Sequence, residues 1–207
     1  MKRFIFDLDG TLLTSDYNSA REYFKNVIGD DNGTFMNGIA TYLDNYERTY
    51  SKYEVNNLCR YLNYVTGSKF TPEIIEGWKE LVGNISFKVE DGVVDLLEYL
   101  KSKGHSLVVL TNWFEEPQKR KLERAGLLGY FDDIYAGDMV LKPHKEAYIC
   151  AKDRFNEKDC VVIGDNLKKD YDVPRELGMN AIFYDKIDLQ GRTIIKVKRM
   201  KEIIGKF

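Results

Sequence analysis

Short, continuous apolar runs recur along the chain, and each ends abruptly at polar residues. Phe4–Phe6, Leu107–Leu110 and Cys160–Ile163 are the clearest, and the segments between the later runs carry apolar residues at every third or fourth position. Runs of this kind indicate strands buried on both faces, whereas the three-to-four spacing indicates amphipathic helices. The alternation of strands with helices predicts an α/β fold with a doubly wound parallel sheet.

A different pattern fills the chain between the first run and Phe87. Apolar residues there follow helical spacing, as in Ile39 and Leu43, and compact β-branched runs are missing. Thr71 begins one of the helices, because a capping side chain is followed by a proline and then by an acid. This segment is therefore predicted to be a helical insert, with Leu13–Asp16 as the hinge that leads into it.

The predicted domains follow from this change of pattern. Residues 1–14 and 87–207 form the α/β core, and residues 15–86 form the helical domain inserted into it. Near the end of the chain, Thr193–Val197 and Met200–Ile204 are expected to add a last strand and helix. Four tyrosines of the insert are spaced for packing between helices rather than for binding a ligand: Tyr42, Tyr46, Tyr50 and Tyr53.

Composition and charge disfavour several classes of protein. The chain has 207 residues, and its 31 Lys and Arg nearly balance its 33 Asp and Glu, so no overall field favours nucleic acid or an anionic membrane as a partner. The first apolar run ends at Asp7, too early for a signal peptide, and no stretch reaches the length of a membrane span. Cys59, Cys150 and Cys160 form no CxxC pair and are expected to be buried free thiols. These features predict a cytoplasmic globular protein.

Two carboxylates follow the first predicted strand. Asp7 and Asp9 stand one residue apart and are followed by Gly10 and Thr11. The pair therefore lies at the carboxyl end of a buried strand, where open α/β sheets bind their ligands. Acids in such a place are costly unless a positive group, such as a metal ion, joins them.

Three later loops carry residues suited to phosphoryl chemistry: Thr111 with Asn112, Lys142, and Asp165 with Asp170. Three ionised carboxylates, those of Asp7, Asp165 and Asp170, would be balanced by one divalent metal ion together with Lys142. The neutralised site could then accept a phosphate dianion. Oxygen ligands with room for water favour magnesium over zinc.

In their order and spacing, these four places resemble the four signature motifs of the haloacid dehalogenase (HAD) superfamily. Asp7-Leu8-Asp9-Gly10-Thr11 is similar to the first motif, and the resemblance covers Met1–Leu13 and Phe87 to about Asp185. It implies a Rossmann-like core. Because most members are phosphatases, it also implies a magnesium-dependent phosphatase that forms an aspartyl-phosphate.

The resemblance also implies a role for each aspartate of the first motif. Asp7 would be the nucleophile, and Asp9 would protonate the leaving group and then activate water. The second role requires a pKa of Asp9 raised by its acidic surroundings. Magnesium would be held by Asp7, the main-chain carbonyl of Asp9, and Asp165.

Phosphate binding is implied for the other motifs. Thr111 and Lys142 would donate hydrogen bonds to phosphate oxygens, together with main-chain N–H groups that include those of Leu8 and Asn112. Asp170 would orient Lys142 or a metal-bound water rather than bind the metal directly.

The insert resembles the mobile helical cap of the HAD subgroup that contains phosphoglycolate phosphatases and β-phosphoglucomutase. A closing cap implies a small phosphorylated metabolite as the substrate, because it leaves little room for a phosphoprotein or a nucleic acid. We expect a monomer or a weak dimer. Residues that could contact the substrate, from the catalytic loops and from the insert, are Ser15, Tyr17, Asn18, Trp113, Arg48, Lys52 and Arg60, although solvated helix faces explain the last three equally well.

Two alternatives stay open and two are disfavoured. A phosphomutase uses the same motifs, and a binding module could retain the fold without turnover. A haloacid dehalogenase is disfavoured because these enzymes lack an acid two residues after the nucleophile, where this chain has Asp9. A dinucleotide-dependent oxidoreductase is disfavoured because no Gly-x-Gly-x-x-Gly follows a predicted strand.

Overall fold

Eight strands and eight α-helices make up the part of the chain that the computed structural model describes, residues 1–186 and 194–206. In chain order they are β1 (Arg3–Phe6), β2 (Leu13–Asp16), α1 (Asn18–Ile28), α2 (Thr34–Thr49), α3 (Val55–Thr66), α4 (Pro72–Asn84), β3 (Ser86–Val89), α5 (Val93–Ser102), β4 (Ser106–Leu110), α6 (Glu115–Arg124), β5 (Asp133–Tyr135), α7 (Lys145–Lys152), β6 (Cys160–Gly164), α8 (Val173–Glu176), β7 (Asn180–Tyr184) and β8 (Lys196–Val197). A π-helical turn, Leu167–Asp172, precedes α8. Within the described ranges, no helix is both long and apolar enough to cross a membrane.

One parallel sheet forms the centre of the fold. Among the described residues it has six strands in the order β5–β4–β1–β6–β7–β8, and every neighbouring pair is parallel. The chain builds outward from β1 on one side and then returns to build on the other. The carboxyl ends of β1, β4 and β6 therefore lie side by side at the point where the strand order switches. The predicted α/β fold with a parallel sheet is confirmed.

The strands are apolar throughout because both faces of the sheet are covered. Phe4 and Phe6 point to one face and pack in a cluster that includes Leu97 of α5. Ile5 points to the opposite face and packs in a cluster that includes Tyr148 of α7. All five side chains are fully buried. Side chains alternate along a strand, so a strand between two helical layers has to be apolar at every position.

Helices α1–α4 pack around a separate aromatic cluster. Phe24 contacts the rings of Phe35 and Trp78, with centroids 4.6 and 5.0 Å apart. Tyr46 is fully buried and stacks on Tyr53 at 5.1 Å, so these tyrosines do pack against each other. The predicted boundaries at residues 14/15 and 86/87 fall inside strands β2 and β3. The division into core and inserted domain stays a prediction.

Three local expectations are wrong. Leu13–Asp16 is strand β2 rather than a hinge, and it pairs with β3 in an antiparallel ribbon. Four residues are too few to show the alternation of polar and apolar positions that identifies a strand. Met200–Ile203 is a 3-10 turn rather than an α-helix, and Thr193 lies outside the described residues. Cys150 is exposed on α7, whereas Cys59 and Cys160 are buried as free thiols.

Candidate active site

A tight loop after β1 presents Asp7 at the switch point of the sheet. Leu8 is fully buried, and its carbonyl accepts a hydrogen bond from the N–H of Leu12 at 2.9 Å. Gly10 has a φ of +86°, and a Cβ at this position would lie 2.1 Å from Asp165 Oδ2. Glycine is therefore required for the loop to approach Asp165 so closely.

Lys142 lies between two carboxylates. Its Nζ donates to Asp7 Oδ1 at 2.7 Å and to Asp170 Oδ1 at 2.6 Å. Asn112 fixes the loop that carries the lysine, because its side-chain amide exchanges two hydrogen bonds with the Lys142 main chain, at 3.0 and 2.9 Å. Burial alone would lower the pKa of Lys142, but the two carboxylates outweigh it and raise the pKa. The lysine therefore stays cationic.

Three carboxylates form a cluster that could hold a metal ion. Asp7, Asp165 and Asp170 each have an oxygen within 4.8 Å of the others. Burial raises the pKa of Asp7 to about 7, with Lys142 opposing it and Asp170 adding to it. Desolvation and repulsion from Asp170 raise the pKa of Asp165 to about 6. One lysine thus leaves the cluster short of positive charge, and this set of oxygen donors fits magnesium.

Asp9 is held by three donors. Lys121 Nζ donates to both of its carboxylate oxygens at 2.6 and 2.7 Å, Gln118 Nε2 donates at 2.9 Å, and Ser15 Oγ donates at 3.0 Å. Burial acts to raise the pKa of Asp9, but Lys121 and the hydrogen bonds outweigh it and lower the pKa. The expectation of a raised pKa is therefore wrong, because a buried cation rather than the neighbouring acids determines the environment of Asp9.

Gln118 and Lys121 are not among the site residues that the sequence predicts, because helix α6 has the composition of a charged surface helix. Lys121 is fully buried and Gln118 is 1% exposed. Their spacing carries the signal that could have found them, since Phe114, Gln118, Lys121 and Leu122 follow helical periodicity on one face. A lysine on the apolar face of a helix has to meet a partner in the interior.

The predicted site residues come together around one cavity of about 220 Å³. Its walls include Asp7, Asp9, Thr111, Asn112, Lys142, Asp165 and Asp170. The Leu8 side chain is buried instead, and only its main chain belongs to the loop. The Thr111 hydroxyl donates to the Asn112 carbonyl at 2.9 Å and accepts from Gln118 at 2.8 Å.

Glu47 and Lys169 also line this cavity, and they join the helical segment to the sheet. Lys169, in the π-helical turn, pairs with Glu47 of α2 at 2.6 Å and with Asp44 at 3.0 Å. Tyr53 donates to the other oxygen of Glu47 at 2.7 Å. Lys169 and Glu47 are 122 residues apart in the chain, so no local pattern could predict their contact.

The remaining candidates fall into two groups. Tyr17, Asn18 and Trp113 line a second cavity, of about 520 Å³, that also reaches Asp9. The cations considered for an anionic substrate have partners on the helical segment itself: Arg48 with Asp44, Lys52 with Glu54, and Arg60 with Asn57.

Comparison with known proteins gives consistent matches. The family model for haloacid dehalogenase-like hydrolases matches residues 1–178. The chain is 33% identical over 141 residues to the phosphoglycolate phosphatase of Aquifex aeolicus. The aligned segment covers 67% of this chain and 62% of that protein. The chain is also 26% identical over 179 residues to the phosphorylated carbohydrates phosphatase of Thermotoga maritima, with 76% and 83% covered. The chain thus spans less than two thirds of the Aquifex protein.

A solved structure has the same fold. The HAD hydrolase YfnB of Bacillus subtilis, in a crystal form bound to magnesium, superposes with a TM-score of 0.71 over 98% of this chain and 96% of that one. Sequence identity is 18%, and at this level the match shows the fold alone.

Proposed function

The chain belongs to the haloacid dehalogenase-like hydrolase family, and from this premise we propose that it is a magnesium-dependent phosphatase of a small phosphorylated metabolite. The observation that carries the proposal is the buried ion pair between Asp7 and Lys142, at 2.7 Å, in the wall of a cavity. It combines a carboxylate nucleophile with a cation that can bind phosphate. The phosphatase names of the Aquifex and Thermotoga relatives support the same reaction class.

In the proposed first step, a carboxylate oxygen of Asp7 attacks phosphorus in line with the bond to the leaving alcohol. That bond breaks as the aspartyl-phosphate forms. Both oxygens of Asp7 are already oriented, because Lys142 donates to Oδ1 and Thr11 Oγ1 donates to Oδ2 at 3.1 Å. Lys142 would hold a phosphate oxygen, and the Thr111 hydroxyl would turn from the Asn112 carbonyl to donate to another.

Asp7 and Asp165 are the residues proposed to hold magnesium, together with the main-chain carbonyl of Asp9. Asp170, whose Oδ1 accepts from Lys142 at 2.6 Å, is proposed to orient the lysine or a metal-bound water. The bound ion would neutralise the crowded negative charge of the carboxylates and the phosphate. Lys142, with its raised pKa, supplies the remaining positive charge.

Asp9 is proposed to protonate the leaving alkoxide and later to take a proton from the water that hydrolyses the aspartyl-phosphate. Its lowered pKa suits the second role directly, because an ionised carboxylate is ready to accept a proton. For the first role Asp9 has to be protonated. Repulsion from a phosphate dianion bound beside it would raise its pKa in the occupied site.

Helices α1–α4 are proposed to act as a cap, with residues 15–86 as its extent. The Lys169–Glu47 pair, at 2.6 Å, would hold the cap against the core and exclude water from the cavity that both residues line. A cytoplasmic location and a monomeric or weakly dimeric state stay predictions.

The test is phosphate release from a panel of phosphomonoesters, with magnesium and again with EDTA, for the wild-type protein and Asp7→Asn. We expect release that depends on the metal and that falls by several orders of magnitude in the variant. Substantial turnover by Asp7→Asn would remove it as the nucleophile. An isomerised sugar phosphate in place of free phosphate would identify a phosphomutase.

A further inference from the structure

Gln118 of helix α6 contacts the wall of the catalytic cavity from the interior of the protein. Its side chain is 1% exposed, so it can act on a substrate only through the residues that it contacts. Its amide nitrogen Nε2 donates to Thr111 Oγ1 at 2.8 Å, to Asp9 Oδ2 at 2.9 Å and to the Asn112 carbonyl at 3.0 Å. These three residues all line the cavity of about 220 Å³. One buried amide thus joins the loop after β1 to the loop after β4.

The orientation of this amide is fixed by the atoms around it. The ionised carboxylate of Asp9 and the carbonyl of Asn112 can only accept hydrogen bonds, so the NH2 end of Gln118 has to face them. The other end, Oε1, is buried and has no hydrogen-bond partner within the described residues. A buried acceptor without a partner destabilises the fold. The contacts of Nε2 are therefore kept at a cost to stability, which indicates a role beyond packing.

Gln118 restricts where the Thr111 hydroxyl can point its proton. A threonine hydroxyl has one proton to donate and two lone pairs that accept. Gln118 donates to one of the lone pairs, so the proton of Thr111 has to go to another acceptor. In this structure that acceptor is the Asn112 carbonyl, at 2.9 Å, and in the proposed reaction it is a phosphate oxygen. Gln118 thus keeps the proton away from itself and available to the phosphate.

Gln118 also makes it easier for the Thr111 hydroxyl to leave its resting partner. The Asn112 carbonyl accepts from both Thr111 and Gln118, at 2.9 and 3.0 Å. When Thr111 turns to the phosphate, the N–H of Gln118 still satisfies this carbonyl. A carbonyl left without a donor would oppose the turn. The free-energy cost of moving the hydroxyl to the substrate is therefore lower with Gln118 in place.

We propose that Gln118 is a positioning residue that directs the Thr111 hydroxyl to a phosphate oxygen of the substrate. The inference rests on the proposed phosphatase function. The contact with Asp9 is not needed for this role, because Lys121 donates to both carboxylate oxygens of Asp9 and Ser15 donates to one of them. Removal of the Gln118 amide therefore leaves Asp9 held and acts mainly on Thr111.

Gln118→Met tests this role, because methionine has a similar length and shape but cannot donate. Asp9, Thr111 and Asn112 each keep another partner, and the unpaired Oε1 is removed, so the midpoint of urea denaturation should not fall. KM for the best phosphomonoester should rise about tenfold while kcat changes by less than about threefold, because Thr111 binds the phosphate before and during the reaction. Lys119→Met, exposed on the same helix, should change neither constant. A loss of stability with an unchanged KM would assign Gln118 to packing alone and overturn the proposal.

A double-mutant cycle shows whether Gln118 acts through Thr111. Thr111→Val removes the hydroxyl and should raise KM about tenfold. In that background Gln118→Met should add less than about twofold, because no hydroxyl is left to direct. Thr111→Ser keeps a hydroxyl, so Gln118→Met should again raise KM about tenfold in the serine background. Equal effects of Gln118→Met in the valine and serine backgrounds overturn the proposal.

Binding of inorganic phosphate in the presence of magnesium measures the same contact without turnover. By titration calorimetry, the dissociation constant should rise about tenfold in Gln118→Met and depend in the same way on residue 111. If no phosphomonoester is hydrolysed but phosphate binding follows this pattern, the phosphatase proposal fails and the role of Gln118 stands. If esters are hydrolysed but KM and phosphate affinity are unchanged in Gln118→Met, the role of Gln118 is refuted and the phosphatase proposal stands. A wild-type protein that neither hydrolyses an ester nor binds phosphate refutes both.

Discussion

Lys121 Nζ contacts both carboxylate oxygens of Asp9, at 2.6 and 2.7 Å, and the lysine is fully buried while the Asp9 side chain is 30% exposed. The cation therefore approaches from the interior, and Asp9 also lines the cavity of about 220 Å³ and the cavity of about 520 Å³. This arrangement holds Asp9 ionised and fixed in orientation. It makes Lys121 a positioning residue for the proposed acid and base.

Replacing Lys121 with methionine should change the pH profile. The variant keeps the length and apolar stem of the side chain but removes the charge that lowers the pKa of Asp9, so this pKa should rise. If Asp9 must be ionised to activate water, the acidic limb of kcat moves to higher pH. Steady-state kinetics between about pH 4.5 and pH 8.5 measure this shift.

Lys119→Met is the matched control, because Lys119 lies on the same helix and is exposed. It should leave the profile unchanged. If Lys121→Met and the wild-type protein share one acidic limb, the lysine does not set the ionisation of Asp9.

Asp9→Asn should impair alkyl phosphates far more than acetyl phosphate. An alkoxide leaving group needs a proton, whereas acetate leaves without one, so formation of the aspartyl-phosphate depends on Asp9 mainly for alkyl esters. We expect an alkyl ester to lose about 10²–10⁴-fold in kcat/KM. Single-turnover measurements with both substrates separate the two steps. Equal losses for the two would assign Asp9 to orientation of the site rather than to proton transfer.

Most of the sheet and of the proposed catalytic set could be predicted from local sequence. Buried parallel strands are apolar at every position, so β1, β4 and β6 are visible as runs. Asp7, Thr111 and Asp165 follow directly after the ends of those strands. Topology then brings the three strand ends together, since β1 lies between β4 and β6.

The rest depends on contacts between distant parts of the chain. Lys121 lies among charged residues, as a lysine of a surface helix does, and its partner Asp9 is 112 residues away. Trp113 has a left-handed backbone, with a φ of +84°, and its ring lies 4.3 Å from that of Trp78, and no periodicity of the sequence predicts either feature. Residues that tune a site from neighbouring elements are therefore harder to predict than those that perform its chemistry.

Gly164→Ala should damage the site through Asp170. A Cβ at position 164 would lie 2.3 Å from Asp170 Cγ, so the carboxylate that Lys142 contacts would have to move. We expect a loss of about 1–3 kcal/mol in the free energy of unfolding and a large loss of phosphatase activity. Gly129→Ala, where a Cβ meets nothing within 4 Å, serves as the control. Urea denaturation measures the free energy of unfolding of both variants, and steady-state kinetics measure their activity. A fully active Gly164→Ala would contradict the proposed importance of Asp170.

The metal-free protein should lose stability as pH rises from about 4 to 7. Burial raises the pKa of Asp7 from 3.8 to about 7 in the folded state, so the folded protein holds this proton more tightly than the unfolded chain does. The contribution is present at low pH and is lost as the carboxyl ionises, by an amount on the order of 2–4 kcal/mol. Urea denaturation in EDTA should show a larger decline in the wild-type protein than in Asp7→Asn, where Asp165, with a pKa raised to about 6, still contributes. Magnesium should reverse it at neutral pH, and parallel curves for the two proteins would contradict the assignment.

Lys169→Ala should loosen the contact between the helical segment and the core. Glu47 is 7% exposed and would keep only its hydrogen bond from Tyr53, so the free energy of unfolding should fall by about 1–3 kcal/mol. Because the same pair covers the catalytic cavity, KM for the best phosphomonoester should rise about five- to tenfold.

Lys168→Ala is the neighbouring control, since Lys168 pairs with Glu176 at 3.1 Å and both side chains are more than half exposed. Exposed pairs contribute little, so this variant should stay within about 0.5 kcal/mol of the wild type with an unchanged KM. Equal effects of the two substitutions would show that the ion pair to Glu47 does not hold the cap closed.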